Sequence, residues 1–147
     1  MEFIRIITQN RIIDMAFLAW LIAQILKIFI ELALYHKINW VRIWESGGMP
    51  SSHSSCVVAC ATAVGKLYGL ASPIFAVATV LAMIVMYDAM NVRRTAGEMA
   101  KIVNYMMENW SDMKPEMFGK KLKELLGHTP TQVFFGALLG IFIGLLA

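Results

Sequence analysis

The chain has 147 residues, 59% of them apolar and only 16% charged, with a net charge of +3. Its mean hydropathy is +0.63 and its pI is near 9.0. Ordinary soluble domains are about 45–50% apolar and about 25% charged, and a small soluble domain cannot hide this much more apolar surface, so a soluble globular enzyme and a disordered chain are set aside. What remains is an all-α polytopic membrane bundle, a single domain over residues 1–147, with about four transmembrane helices plus interfacial helices. The basic balance then points to loops facing anionic lipid and not to nucleic acid.

The N-terminal segment MEFIRIITQN has no apolar run followed by a small-residue cleavage site, so no signal peptide is expected there. The first apolar run, Ile12 to Tyr35, is long enough to span. Gln24, Lys27 and Glu31 interrupt it at i, i+3 and i+7 and therefore share one helix face. Lys27 and Glu31 could pair at i, i+4 or snorkel, but a polar stripe turned into the bundle is the preferred reading. Trp40 and Trp44 have the character of interfacial aromatics. Gly47, Gly48 and Pro50 break the chain, and Ser51 and Ser52 are good N-caps for a second helix to about Tyr68. Cys56 and Cys60, four apart on that helix, are expected to pack as small hydrophobes; no disulfide framework or metal spacing is present.

Gly69 to Pro73 is a turn, and Pro73 is a favoured first position for a third helix to about Val92. Residues 95 to 127 are the most polar stretch, with helical periodicity around Glu98–Asn109 and Glu116–Leu126, as in interfacial helices. Gly-His-Thr-Pro-Thr then breaks the chain before the last apolar run to Ala147. Gly136, Gly140 and Gly144 form a small-residue face in that run, for a neighbouring helix or for a homodimer.

With four spans, Lys27, Ser51, Ser52, His53, Asp88, Arg93, Arg94 and His128 come from four segments to one membrane face. The loops on that side carry nine basic residues against three on the other, which places the site in the cytoplasm of a bacterial-type cell membrane by the positive-inside rule. His53 and His128 each lie near a helix start, where backbone N–H groups attract anions. With Lys27, Arg93 and Arg94 beside them, the set fits a phosphate. Two histidines among cations suggest phosphoryl transfer through a phosphohistidine, one ring attacking phosphorus and the other protonating the leaving oxygen, with the cations stabilising the transition state. Taken singly, each residue has a plainer reading: His53 as a cap, His128 as interfacial, the arginines on lipid headgroups, Asp88 as their partner. His36 is read as interfacial.

The segments Gly-Gly-Met-Pro-Ser-Ser-His-Ser (47–54), Tyr-Asp-Ala-Met-Asn-Val-Arg-Arg-Thr-Ala-Gly (87–97) and Leu-Lys-Glu-Leu-Leu-Gly-His-Thr-Pro-Thr-Gln-Val (122–133) resemble the divergent branch of the type 2 phosphatidic acid phosphatase superfamily, which also holds bacterial acid phosphatases and vanadium haloperoxidases. The resemblance covers nearly the whole chain. Pro50-Ser51-Ser52-His53 is similar to the Pro-Ser-Gly-His motif, which implies His53 as general acid and Ser51 and Ser52 as phosphate donors. His128 matches the histidine of the Ser-Arg-x5-His-x3-Asp motif, the implied nucleophile. The arginine of that motif would be Arg93 or Arg94, far upstream, and Gln132 stands in the aspartate position, where an amide can orient the ring but not stabilise its cation as a carboxylate does. Asp88 or Glu98 would have to supply the carboxylate. The Lys-x6-Arg-Pro motif is absent, and Lys27 matches it by rough position only; Gln24 is a second candidate orienting residue.

The resemblance implies an all-helical bundle, no metal or other cofactor, and a lipid phosphate or diphosphate as substrate: phosphatidic acid, phosphatidylglycerophosphate or polyprenyl diphosphate. A cytoplasmic site favours phosphatidylglycerophosphate or a relative; the opposite orientation suits polyprenyl diphosphate. The alternatives are a non-catalytic membrane protein that binds or transports a phospho-anion, and a structural bundle dimerising through its glycines.

Overall fold

A computed structural model of the chain describes residues 9–35, 48–109 and 127–147. It contains five helices in that range, α1 (Arg11–Tyr35), α2 (Ser52–Tyr68), α3 (Pro73–Met90), α4 (Val92–Asn109) and α5 (Pro130–Gly144), and no strand among the described residues. His36, Trp40, Trp44, Gly47 and the segment 116–126 lie outside them.

The expected helix starts hold because the chain supplies caps. Ser51 accepts from the N–H of Ser54 and begins α2. Ser72 accepts from the N–H of Phe75 at 3.2 Å, with Pro73 as the first residue of α3. Thr129 caps α5 in a reciprocal box with Gln132, ahead of Pro130. The polar stretch differs from expectation. α4 begins at Val92, before Glu98, and only Asn91 separates it from α3.

α2 is the central helix, packed by α5, α1 and α3. Its partners approach closely because the facing residues are small. Gly136, Gly140 and Gly144 of α5 lie directly on α2 of the same chain; a Cβ on Gly140 would sit 2.7 Å from the Ser55 carbonyl oxygen and 2.8 Å from Cβ of Val58. The small-residue face is therefore taken up within the chain. On the α1 side, Met15 and Ala19 meet Ala59, Ala63 and Ile143.

Large apolar chains point outward. Phe29 is 63% exposed, Val77 69% and Phe142 66%, while the interior is mostly alanine and serine. Such an inverted distribution suits lipid, where apolar side chains gain nothing by turning inward and close packing falls to small residues.

Among the described residues, two helices are long and apolar enough to cross a membrane, Arg11–Ala33 and Pro73–Glu108. This is fewer than the four expected. α2 has 17 residues and α5 has 15, about 25 Å and 22 Å of helix, short of a hydrocarbon core of about 30 Å.

Candidate functional site

The N-termini of α2 and α5 meet. The backbone N–H of Ser51 donates to the carbonyl of Gln132 at 2.9 Å, joining the cap of one helix to the first turn of the other. First-turn amides of an α-helix lack intrahelical partners and carry the positive end of the helix dipole, so two such ends side by side favour an anion. A knot of buried serines holds the α2 end. Ser54 Oγ donates to Ser51 Oγ at 3.0 Å, and Ser55 Oγ donates to the Ser51 carbonyl at 2.9 Å.

His53 sits in the first turn of α2 and His128 immediately before the cap of α5, their ring centroids 5.9 Å apart and edge-on. His128 is fully buried. Its backbone N–H donates at 3.0 Å to the carbonyl of Ala89, one of the last carbonyls of α3, which have no helical partner of their own. Gln132 Oε1 accepts from the Thr129 N–H at 3.0 Å, which identifies that atom as the amide oxygen, and it lies 3.3 Å from His128 Nδ1. An acceptor there places the proton of the neutral ring on Nδ1. Nε2 then carries a lone pair, and it is buried without a hydrogen-bond partner among the described residues. Burial pushes the His128 pKa down to about 4, helped by the charges of Lys27 and His53 and opposed by the contacts with Gln132 and with the Gly48 backbone, so the ring is neutral at neutral pH.

The cations are sorted by the fold. Lys27 turns into the bundle, 8% exposed, and its Nζ donates to Ser52 Oγ at 3.2 Å. Its aliphatic stem lies beside Gly48, whose φ of +95° suits glycine. Arg93 Nε donates to Asp88 Oδ2 at 2.7 Å, and its Nη1 lies 3.4 Å from His53 Nε2. A guanidinium only donates, so His53 Nε2 accepts and the ring proton sits on Nδ1. That atom too is buried without a partner among the described residues.

Of the two candidate arginines, Arg93 joins the cluster. Arg94 pairs with Glu98 at 3.1 Å on the half-exposed side of α4. Glu98 is thus engaged away from the histidines, and Asp88 holds Arg93. Gln24 lies half-buried on α1, one turn before Lys27. Ser51 is the α2 cap, while Ser52 is the serine that meets a cation. Sequence reasoning missed Ser54 and Ser55, both fully buried beneath the site; four serines within positions 51–55 of so apolar a chain were the signal for them. Among the described residues, no three His, Cys, Asp or Glu side chains converge as a metal site.

Residues 8–143 match the family described as the divergent PAP2 family. The chain is 42% identical over 137 residues to the uncharacterized membrane protein YuiD of Bacillus subtilis (strain 168), covering 86% of this chain and 87% of the relative. No solved structure matches.

Proposed function

The chain belongs to the divergent PAP2 family of membrane proteins, and on that premise we propose that it is an integral-membrane phosphatase of lipid phosphates. The supporting observation is the complementary state of the two rings: a bare lone pair on His128 Nε2 and a bare N–H on His53 Nδ1. A nucleophile and a proton donor are what phosphoester cleavage through a phosphohistidine requires.

In the proposed reaction, His128 Nε2 attacks phosphorus and the bond to the lipid oxygen breaks. For this step His53 is the imidazolium, with Arg93 turned from Nε2 to the phosphate; the ring gives its Nδ1 proton to that oxygen and is left neutral, and the lipid alcohol leaves. His53 then takes a proton from water, the resulting hydroxide attacks phosphorus, and the P–N bond breaks to return free His128 and inorganic phosphate. Lys27, Arg93 and the first-turn amides of α2 and α5 balance the phosphoryl charge. Gln132 keeps the His128 ring in the reactive tautomer.

In this reading α2 and α5 lie within the bilayer beside the two longer helices, their short length matched by the recess that holds the site. The excess of basic residues in the loops on the site side favours a cytoplasmic opening, and with it phosphatidylglycerophosphate or a related lipid made on that leaflet. A second reading, binding or transport of a phospho-anion without turnover, is favoured by one observation: an amide, Gln132, contacts His128 where a carboxylate would stabilise the imidazolium.

The deciding experiment is phosphate release by the detergent-purified protein from a panel of lipid phosphates and soluble phosphomonoesters. The phosphatase reading expects release from one lipid class, blocked by vanadate and lost in His53→Ala and His128→Ala. Folded protein that binds lipid phosphate but releases none selects the second reading.

A further inference from the structure

Gly127, the residue before His128, lies where no side chain fits. A Cβ built on it would press on the N and Cα of Arg94 and on the Arg94 Cβ as well. The obstacle is main chain, so a side chain there could be housed only by a backbone shift. The next residue is tied to the same region: the His128 N–H donates to the Ala89 carbonyl at 3.0 Å. Residues 127 and 128 therefore bridge the join between α3 and α4, one resting on the first turn of α4 and the other bonded to the last turn of α3.

This bridge bears on where Arg93 points. Successive residues of an α-helix are turned by about 100°. With the Arg94 backbone seated on Gly127, the Arg94 side chain leaves toward Glu98. Arg93, one step back, faces His53, its Nη1 3.4 Å from Nε2. Asp88 of α3 holds the same guanidinium through Nε at 2.7 Å, so its reach to His53 depends on the angle of the join.

The two sides of the contact are not equally free to give way. His128 is fully buried and bonded to Ala89, and the helix that follows it is bonded to Ser51 and rests on α2 through its glycines. Among the described residues, the extended helix contact of α4 is with α3. A side chain at position 127 would therefore displace the start of α4, and Arg93 with it, while His128 stays in place.

We propose that Gly127 is a positioning residue: its bare Cα seats α4 so that Arg93 meets His53, and the same two-residue segment sets His128. The place of Arg93 stands on this geometry. Its service to a phosphoryl group rests on the phosphatase reading above.

The test is the ring-nitrogen NMR spectrum of histidine-labelled protein in detergent micelles at about pH 8, where free imidazole is neutral. Arg93→Ala supplies the reference for a His53 Nε2 that has lost its donor. Gly127→Ala is expected to move the His53 Nε2 resonance by the greater part of that displacement and in the same direction. The His128 resonances should stay, and the double variant should show no movement beyond Arg93→Ala alone. Gly65→Ala, whose Cβ would press on the Phe75 ring, controls for crowding and should move neither ring. A His53 resonance unmoved by Gly127→Ala or by Arg93→Ala overturns the proposal, as does a further movement in the Arg93→Ala background. A Gly127→Ala protein that does not fold overturns it too, since the proposal requires α4 alone to yield. In the unaltered protein, a nuclear Overhauser contact between the α-protons of Gly127 and Arg94 is expected, and its absence is equally fatal. Phosphate release from phosphatidic acid, measured on the same preparations, reports on turnover separately. Resonances that move as expected in a protein that releases no phosphate keep the role of Gly127 and remove the phosphatase, whereas release with an unmoved His53 resonance does the reverse.

Discussion

The side-chain oxygen of Gln132 lies 3.3 Å from Nδ1 of His128 while it accepts the N–H of Thr129 at 3.0 Å. One atom thereby caps a helix and sets a tautomer. Gln132→Ala is expected to lose both: stability by about 1 kcal/mol, as for a lost cap contact, and phosphate release through the freed ring. Gln132→Glu keeps an acceptor and adds a charge that favours the imidazolium. The acid limb of its pH–rate profile should therefore move to higher pH, while a purely structural role for Gln132 would leave that limb in place.

Arg93 and Arg94 should separate cleanly. Arg93 contacts His53 and Asp88, and its replacement by alanine is expected to cost about 10²–10³-fold in phosphate release, the size usual for loss of one charge-stabilising donor. Arg94 is paired with Glu98 at the surface, where ion pairs are worth little. Arg94→Ala should stay near the unaltered protein in the same assay.

Lys27→Met tests a buried cation. An apolar side chain of similar length removes a charge that is costly to bury, so the thermal midpoint should hold or rise. Vanadate inhibition, in contrast, should weaken by about tenfold or more, because the anion loses one of its cations. A fall in thermal midpoint with unchanged inhibition would make Lys27 a structural residue only.

The pH dependence follows from His128. Its pKa falls from 6.5 to about 4 on burial, so between those values the unfolded chain binds the proton and the folded one does not. The His128 contribution to stability is full above pH 6.5 and is lost as pH falls toward 4. Thermal midpoints across that range should decline with acid in the unaltered protein and decline less in His128→Ala. The proposed nucleophile stays neutral over the same interval, so the acid limb of phosphate release is expected near pH 4.

Gly140→Leu should disrupt the α2–α5 contact. Even a Cβ at that position would press on the Ser55 carbonyl, and overpacking of a close contact costs about 1–3 kcal/mol. A lowered unfolding temperature in detergent, together with reduced phosphate release, is the expected outcome, since this contact holds the two helix starts in register.

Much of this was legible in the residues because it is local. Ser51, Ser72 and Thr129 announce helix starts by their own side-chain chemistry, and the joint placement of His53, His128 and Lys27 followed from the order of apolar runs. The choice of arginine was not legible. Arg93 and Arg94 are adjacent, and only the join at Asn91 decides which one turns toward His53. The count of four spans is not confirmed for a related reason: α2 and α5 read as apolar runs, yet they have 17 and 15 residues, shorter than a helix that crosses a bilayer unaided. The glycine stripe was visible as a packing face, but its partner depends on tertiary contact and could not be read from spacing.

The positions of both histidines are set by main-chain atoms. Ser51 is tied to Gln132 and His128 to Ala89 through backbone hydrogen bonds, and α5 rests on α2 through glycine against carbonyl. None of these contacts specifies a side chain at the reacting centre. A side chain at the site such as Ser52 can therefore change without moving the rings apart. A lineage built on such a frame is free to drift in chemistry while its geometry stays fixed, and its members should superpose at the two rings even where their motifs no longer align.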